Sequence, residues 1–334
     1  MDMSFTFSRR TALSAAAAAA LLTVTACGGN VGGGGGDAAN YPDGPITLTV
    51  GQAAGGSTDL IARALAAGMS DDLGQTVAVV NQPGANGAVA TQEVAGKAAD
   101  GYELVLLNAS LITITPLAVS ENEAVNLDDL DVIKGLSQDD YVLIASADSG
   151  IESFEDIQAA DRLTYGTTGV GTGSQLAQAI LFAEADVTGT AVPFDSGAPA
   201  LTAVMGNQVQ VATVQLGEAM PQIEAGTVTP IMTFSTERNE FLPDTPTAEE
   251  EGYEIPVSQY RALAAPKGLP EETKTRLVEA ADAALATEEY QTFNEENLLT
   301  PHEISGDEVV TEWNELRDRY AELVEEHDIS LSDD

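Results

Sequence analysis

A glycine-rich turn in the segment AAGGSTDLIARAL has the residue types of an anion-binding site. Gly55 and Gly56 lack a Cβ, so their backbone can approach a ligand closely. Ser57, Thr58 and Asp59 follow at the predicted start of a helix, where the first backbone N–H groups have no acceptor within the helix. Because these N–H groups form the positive end of the helix dipole, the segment predicts a cradle for a carboxylate or a phosphate.

A second glycine-rich turn, TTGVGTGS at residues 167–174, repeats this pattern. Its threonine and serine side chains supply hydroxyl groups, and its glycines expose backbone. The spacing is not the G-x-G-x-x-G of dinucleotide-binding proteins, and the segment lacks the G-K-[ST] of a phosphate-binding loop. Ligands of open α/β sheets bind at the carboxyl ends of strands, so two such turns facing each other across a cleft would form one site.

Asp59 allows two interpretations. As an acid in the first turn of a helix, it would interact favourably with the helix dipole. As a functional residue, it would orient a water molecule or accept a hydrogen bond from a hydroxyl or amine of the ligand. The sequence leaves both interpretations open.

Residue patterns of catalysis and of metal binding are missing from the sequence. The two histidines, His302 and His327, lie late in the chain, and neither H-E-x-x-H nor G-x-S-x-G occurs. The carboxylates follow no spaced metal-ligand motif. We therefore expect no enzyme, no metal and no cofactor. An exported α/β enzyme is the alternative, but it would need a nucleophile or a titrating pair, and the sequence indicates neither.

Strands and helices alternate around both turns. The sequence predicts strands at 46–50, 77–80, 104–107, 163–165, 190–193, 209–214 and 231–234. It predicts helices at about 58–73, 89–98, 175–185, 199–205 and 269–286, and a last helix that begins with a capping box of Ser305 and Glu308. This alternation predicts an α/β fold of parallel sheets with helices on both faces.

The first 40 residues have the features of export and anchoring segments. Arg9-Arg10 precedes an alanine-rich apolar run that ends in VTAC, which resembles a lipoprotein box. We predict an export signal over residues 1–27, twin-arginine or general secretory, with Cys27 as the lipidated residue; a plain signal peptide with an incidental cysteine is the alternative. Residues 28–40, GGNVGGGGGDAAN, predict a flexible tether.

The chain is strongly acidic, with a formal net charge of -40 and only 13 basic residues. This composition argues against nucleic acid or anionic lipid as a binding partner, because phosphate binding needs clustered Lys and Arg. Such a surface is typical of proteins that work in high salt, where screening weakens self-repulsion. An acidic exported protein without that adaptation is the alternative.

From Tyr41 to about His327 the chain resembles the solute-binding receptors of tripartite tricarboxylate transporters, also called Bug receptors. The motifs YPDGPITLTV, AAGGSTDLIARALA, LGQTVAVVNQPGANG and ADGYELVLLNAS follow the first part of the family pattern in order. The motifs YGTTGVGTGSQLA, VPFDSGAPALTAVMGNQV, MPQIEAGTV, LPDTPTAEEEGY and AAPKGLP follow the remainder. Each motif is weak alone, and their shared order makes the resemblance specific.

The resemblance implies a two-lobed periplasmic-binding-protein fold of type II, with a ligand cleft between the lobes. It implies two crossovers, near 141–146 and 258–264, with lobe 1 over 41–143 plus 260–334 and lobe 2 over 144–259. The implied function is that of a monomeric, lipid-anchored extracytoplasmic receptor. It would capture a di- or tricarboxylate, an acidic amino acid or an aromatic acid and deliver it to the membrane carrier subunits. A receptor of the same fold for another transporter, or for a sensor system, is the alternative.

The resemblance also implies which residues bind the carboxylate, largely through the backbone and ordered water. They are Ala54, Gly55, Gly56, Ser57, Thr58, Asp59, Asn108 and Ser110 in one lobe and Thr168, Gly169, Gly171, Thr172 and Gln215 in the other. The chain departs from the family pattern at three places: Gln52 replaces an aromatic residue, Gln175 replaces a histidine, and Phe194-Asp195 replaces Tyr-Lys. We expect binding of one carboxylate to persist, because backbone groups supply it.

Overall fold

The computed structural model describes residues 41–121, 123–194 and 196–331, so the predicted export signal, lipidated Cys27 and tether lie outside the described residues. The strands are β1 (Ile46–Val50), β2 (Val77–Asn81), β3 (Glu103–Asn108), β4 (Leu130–Ser146), β5 (Leu163–Thr167), β6 (Gly189–Pro193), β7 (Val211–Gln215), β8 (Val228–Thr233), β9 (Ser258–Pro266) and β10 (Thr300–Pro301). The helices are α1 (Ser57–Leu73), α2 (Ala88–Ala95), α3 (Ala109–Thr113), α4 (Thr115–Ala118), α5 (Phe154–Gln158), α6 (Gly173–Glu184), α7 (Gly197–Met205), α8 (Leu216–Glu224), α9 (Glu271–Leu285), α10 (Glu288–Glu296) and α11 (Gly306–Glu326). The predicted strands and helices are present, with ends that differ by a few residues.

Each lobe is built on three parallel strands. β2, β1 and β3 pair in parallel register in the first lobe, and β6, β5 and β7 do so in the second. The strand order is β2-β1-β3-β9-β4-β7-β5-β6, and β8 and β10 also pair with β4. The sheets are therefore mixed instead of purely parallel as predicted. The reason is that β4 and β9, which carry the chain between the lobes, run antiparallel to their neighbours.

Both crossovers between the lobes lie at the same level, beside Asp140 and Tyr141 of the long strand β4. Up to Asp140 this strand pairs with β9, and from Tyr141 onward it pairs with β7 and β8. The returning chain changes lobes at the same level, since the N–H of Val257 donates to the carbonyl of Phe234 and Ser258 pairs with Asp140. Two adjacent strands therefore connect the lobes, as expected for a hinge.

Helix α1 positions the first glycine turn by packing on the sheet of the first lobe. Its buried apolar residues Ile61, Leu65 and Met69 recur at helical spacing and belong to one core with β1 and α9. Gly68 permits close contact with α9, because a Cβ there would lie 2.7 Å from the Cα of Ala284. The start of α1 is thus fixed by a packed helix pair.

Helix α11 contacts both lobes. Val309 and Trp313, near its start, join the core that includes β3 and β9, whereas Tyr320 and Leu323 join the core of the second lobe. The capping box of Ser305 and Glu308 forms as predicted. The predicted lobe boundaries stay a prediction. Among the described residues, no helix is both long enough and apolar enough to cross a membrane.

Candidate functional site: a cleft between two glycine turns

The first glycine turn connects β1 to α1 and leaves the start of the helix uncapped. Gly55 has a φ of 86°, a left-handed conformation that favours glycine. Gly56 is the N-cap residue of α1, and no side chain caps the helix. Within the described part of the chain, the backbone N–H groups of Ser57, Thr58 and Asp59 have no acceptor. Three donors at the positive end of a long helix are therefore available to an anion.

Asp59 holds this turn in place with its carboxylate. The carboxylate accepts hydrogen bonds from the N–H of Gly55 at 2.8 Å and from Nδ2 of Asn81 at 2.9 Å, and it pairs with Arg63 at 2.9 Å. Burial acts to raise the pKa of Asp59, but the hydrogen bonds from Arg63, Gly55 and Asn81 outweigh it and hold the pKa below its usual value. The geometry favours a supporting role for Asp59 over direct contact with a ligand.

The second glycine turn connects β5 to α6, and its own side chains occupy much of its backbone. Thr172 caps α6 by accepting from the N–H of Gln175, and the Oε1 of Gln175 accepts from the N–H of Gly171 at 2.7 Å. The N–H of Thr168 donates to the Oγ of Ser174 at 3.2 Å. The hydroxyls of Thr168, Thr172 and Ser174 also bond to one another. This turn therefore offers hydroxyl groups more readily than free backbone N–H groups.

The two lobes touch at Gly171. Its carbonyl accepts from the Oγ1 of Thr115 at 3.1 Å and from the Nδ2 of Asn86 at 3.4 Å. Gly171 has a φ of 70°, and a Cβ there would lie 2.9 Å from the Cα of Thr115. Segments that follow β2 and β3 thus close against the second turn, and only a glycine fits between them.

A cleft with a volume of about 530 Å³ lies between the two turns. This volume lies within the ordinary range for small-molecule sites. Most of the predicted site residues line it: Ala54, Gly55, Gly56, Ser57, Thr58, Asn108, Thr168, Thr172 and Gln215.

Four predicted residues do not line the cleft: Asp59, Ser110, Gly169 and Gly171. Asp59 supports the first turn, and Gly171 forms the lobe contact. Ser110 is buried, where its N–H and Oγ both bond to the side chain of Gln259. The structure therefore brings the two turns together but leaves these four residues out of the cleft lining.

Among the described residues, three charged side chains that were not predicted from the sequence also line the cleft: Asp139 on β4, Glu218 on α8 and Arg261 on β9. Nη2 of Arg261 lies 3.4 Å from Oδ2 of Asp139, and both side chains are almost completely buried. Nε of Arg261 donates to Oγ1 of Thr58 at 3.1 Å, and Oγ of Ser57 donates to Oδ2 of Asp139 at 3.2 Å. This pair therefore lies directly beside the first turn.

Both cleft carboxyl groups have raised pKa values. Burial raises the pKa of Asp139 to about 6, although the charge of Arg261 acts in the opposite direction. Burial, and then the charge of Asp139, raise the pKa of Glu218 to about 7. The fold therefore brings together two carboxyl groups that are distant in sequence and that the sequence did not indicate as a pair.

Only part of this charged group left a signal in the sequence. Arg261 is a lone charge in the apolar strand QYRALAAP, and a buried charge needs a partner. Asp139 stands beside the predicted first crossover, and Arg261 lies within the second, so an ion pair between Asp139 and Arg261 could have been predicted there. Glu218 lies on a helix that was not predicted, and only the glycine at 197, which leaves room for its carboxylate, marks its place.

Of the three departures from the family pattern, Gln52 lines the cleft, whereas Gln175 lies in the first turn of α6 and outside the cleft lining. Nε2 of Gln52 donates to the carbonyl of Asn86 at 3.3 Å, and its Oε1 is buried without a partner. Gln175 joins the second turn to the C-terminal segment, because its Nε2 donates to the carbonyl of Leu331 at 3.2 Å. Asp195, in the third departure, lies outside the described residues.

The sequence profile of the tripartite tricarboxylate transporter family receptor matches residues 61–329. The chain belongs to this receptor family. A relative from Agrobacterium vitis, a UPF0065 protein of the TAR-I ttuE-ttuC' intergenic region, is 32% identical over 253 residues, which cover 74% of this receptor and 72% of the relative. The predicted resemblance is confirmed.

Solved structures confirm the two-lobed periplasmic-binding-protein fold of the receptor. The periplasmic binding protein BugD superposes with a TM-score of 0.78 at 28% identity, covering 87% of this receptor and 99% of BugD. MatC from Rhodopseudomonas palustris, solved with bound malate, superposes with a TM-score of 0.77 at 26% identity, covering 85% of this receptor and all 100% of MatC. These proteins are extracytoplasmic solute-binding receptors, and the comparisons indicate no catalytic family.

No group of three or more His, Cys, Asp or Glu side chains in the described part of the receptor has the arrangement of a metal site. The described residues of the cleft combine free backbone donors, hydroxyl groups and three charged side chains.

Proposed function

We propose that this receptor captures a small carboxylate outside the cytoplasm and delivers it to the membrane carrier subunits of a tripartite tricarboxylate transporter. One observation carries the proposal: the uncapped start of α1, with the N–H groups of Ser57, Thr58 and Asp59 free, opens into a cleft of about 530 Å³. A carboxylate at this position would accept hydrogen bonds from two of these N–H groups and interact favourably with the helix dipole.

Backbone binding explains how so acidic a chain can hold an anion. The net charge of -40 is distributed over the whole chain, and salt screens exposed charges over about 10 Å or less. The N–H donors act at hydrogen-bond distance, where this screening has little effect. The acidic surface and the anion site therefore serve different purposes, which are solubility and recognition.

Closure of the lobes is the second part of the proposal. In the described conformation, Asn86 and Thr115 of one lobe already contact Gly171 of the other. A ligand held by Ser57 and Thr58 of one lobe and by Thr168 and Thr172 of the other would favour this closed state, because only the closed state offers both sets of contacts. The carrier would then distinguish the loaded receptor by its closed shape.

A relative supports the ligand class. MatC, whose structure carries malate, shares the fold at 26% identity over nearly the whole described chain. A dicarboxylate in that protein makes a small organic acid a reasonable first ligand to test here.

A thermal-shift screen against di- and tricarboxylates, amino acids and aromatic acids, in low and high salt, tests this function. An acid at 100 times its Kd should stabilise the folded receptor by about 2.7 kcal/mol, which is a readable shift in Tm. Stabilisation by one class of acids is the expected result. A well-folded sample that no carboxylate stabilises at either salt concentration would contradict the proposal.

We further propose that export leaves the receptor attached by lipid to the outer face of the membrane through Cys27. The support is the sequence VTAC after an apolar run, followed by the glycine-rich segment 28–40. Wild-type protein should sediment with membranes, and Cys27→Ser should release folded receptor into the soluble extracytoplasmic fraction. Membrane attachment that is unchanged in Cys27→Ser would contradict this anchor.

A further inference from the structure

One carboxylate oxygen of the cleft has no partner. Oδ2 of Asp139 accepts from Ser57 and pairs with Arg261, but Oδ1 is buried and has no hydrogen-bond partner among the described residues. A buried carboxylate oxygen without a donor is costly, and such atoms in folded proteins usually meet one. The side chain is about 98% buried and lines the cleft, so a ligand in the cleft can supply the donor.

Glu218 is a second carboxylate in the same space. It lines the cleft, and no hydrogen bond or ion pair joins it to another described residue. The charge of Asp139 contributes to its raised pKa, so the two carboxyl groups lie within interaction range of each other. The second carboxylate therefore also faces the cleft without a cation of its own.

The charges of the described side chains that line the cleft do not balance. Its charged lining residues in the described part of the chain are Asp139, Glu218 and Arg261. Arg261 compensates Asp139, and one negative charge is left when Glu218 is ionised. A further carboxylate placed here would meet like charge, whereas an ammonium group would bring the opposite charge and several N–H donors.

We propose that the ligand is an amino-bearing carboxylate, with its carboxylate at the free N–H groups of α1 and its ammonium group donating to Oδ1 of Asp139 and to Glu218. This inference rests on the proposed function and narrows its ligand class. Ser57 belongs to both parts of this site, because its N–H is one of the donors for the carboxylate and its Oγ bonds Asp139, an acceptor for the ammonium group. The carboxylate position and the ammonium position are therefore close together. The amino group accordingly lies near the bound carboxylate, as in an α-amino acid.

Two related ligand types fit this site less well. A hydroxyl group in place of the amine would supply one donor and no charge, so it would satisfy Asp139 Oδ1 but leave Glu218 without a cation. A quaternary ammonium group would supply charge without any N–H donor, so Oδ1 of Asp139 would still lack a hydrogen-bond donor.

Matched acids that differ only at carbon 2 test this proposal by calorimetry. The sets are succinate, malate and aspartate; glutarate, 2-hydroxyglutarate and glutamate; and butanoate, 2-hydroxybutanoate and 2-aminobutanoate. In the set that binds tightest, we expect the amino acid to bind roughly 10-fold tighter than either analogue, because it adds charge-assisted hydrogen bonds. An unsubstituted or hydroxy acid that binds as tightly as its amino analogue would overturn the proposal.

Substitution of the two proposed ammonium acceptors, Glu218 and Asp139, gives a second test of the proposal. Glu218→Gln keeps the size of the side chain and should reduce the preference for the amino acid over its unsubstituted analogue roughly 5-fold or more. The preference is a ratio measured within one variant, so a general loss of stability does not change it. Glu224→Gln is the matched control, because it removes the same charge from an exposed position on the same helix.

Asp139→Asn should reduce the same ratio, although loss of the partner of buried Arg261 will also destabilise the fold. A preference that is unchanged in both Glu218→Gln and Asp139→Asn would overturn the assigned acceptors. Tight binding of unsubstituted acids alone would refute the amino-acid proposal and leave the receptor function standing. Binding of no acid in the three sets or in the wider carboxylate screen would refute both.

Discussion

The two glycine turns have similar sequences and different states of their backbone donors. In the first turn, no side chain caps α1, and the N–H groups of Ser57 and Thr58 are free. In the second turn, Thr172 caps α6, and the N–H groups of Thr168 and Gly171 are bonded to Ser174 and Gln175. The first turn therefore has the free backbone donors that the proposed anion site needs, whereas the second turn offers hydroxyls and meets the opposite lobe.

The supports of the two turns differ as well. A buried carboxylate, Asp59, holds the first turn through Gly55, Arg63 and Asn81, and these contacts leave the N–H groups of Ser57 and Thr58 unused. The second turn is held by neutral side chains that belong to the turn itself. A glycine-rich sequence alone therefore does not make an anion site, because the capping residue decides whether the donors stay free.

The largest expected effect is at Gly56. Its φ of -80° suits any residue, and an added Cβ would lie 3.5 Å from the carbonyl oxygen of Ala53, so Gly56→Val should fold. The branched side chain would occupy the space in front of the free N–H groups. Two lost charge-assisted hydrogen bonds are worth about 3–6 kcal/mol, so affinity should fall at least ~100-fold by calorimetry. Gly96→Val is the control, because Gly96 has a similar φ of -82° and lies outside the cleft. If Gly56→Val binds with wild-type affinity, the first turn is not part of the ligand site.

Asp59→Ala should give the next largest effect. It leaves the N–H of Gly55 and the amide of Asn81 without their acceptor, so the unfolding free energy should fall by about 1–3 kcal/mol and affinity by roughly 10-fold. The pKa of Asp59 is lowered in the folded state, so its stabilisation is present above the unfolded pKa and lost as pH falls through the folded pKa. Denaturant unfolding should therefore separate variant and wild type clearly at pH 7 and much less at pH 3. An equal difference at both pH values would contradict this role.

Glu218 should give the opposite pH dependence. Its folded pKa of about 7 exceeds the ordinary glutamate value of 4.5, so the folded receptor binds more protons between these values and loses stability as pH rises through them. Glu218→Gln should then be more stable than wild type at pH 8 by about 1–2 kcal/mol and nearly equal to it at pH 5. Glu224→Gln should show no such pH dependence in the same denaturant experiment. A Glu218→Gln variant less stable than wild type at pH 8 would indicate that Glu218 has a partner in the unliganded receptor.

Gln175→Ala should give the smallest effect. It frees the N–H of Gly171 and removes the bond to Leu331, which should cost about 1 kcal/mol of unfolding free energy. Affinity should change only a few-fold, because the released N–H belongs to a residue outside the cleft lining. A loss of affinity as large as that of Gly56→Val would make the two turns equal partners in ligand binding.

The architecture was predictable because its signals are local. Alternating apolar strands and helices, glycine turns, and the capping box of Ser305 and Glu308 each follow from short-range rules, and the structure contains all of them. The mixed sheet was not predictable from these rules. The direction of β4 and β9 depends on where the chain crosses between lobes, and that depends on contacts distant in sequence.

The site was predictable where backbone forms it and not where side chains meet across the fold. The residues of both turns were identified as a group, because their sequence determines local conformation. Asp139, Glu218 and Arg261 come from three separate elements and meet only in the folded cleft. Whether the N–H groups of a turn are free, as at Ser57, or bonded, as at Gly171, also depends on side-chain geometry that a motif does not encode.

Amide NMR during titration with the acid that binds tightest tests the difference between the turns most directly. If the first turn holds the carboxylate, the amide protons of Ser57 and Thr58 should move strongly downfield at saturation, because each gains a charged acceptor. Those of Thr168 and Gly171, which already have acceptors, should move little. Large downfield shifts at Thr168 and Gly171, with Ser57 and Thr58 unchanged, would contradict the account.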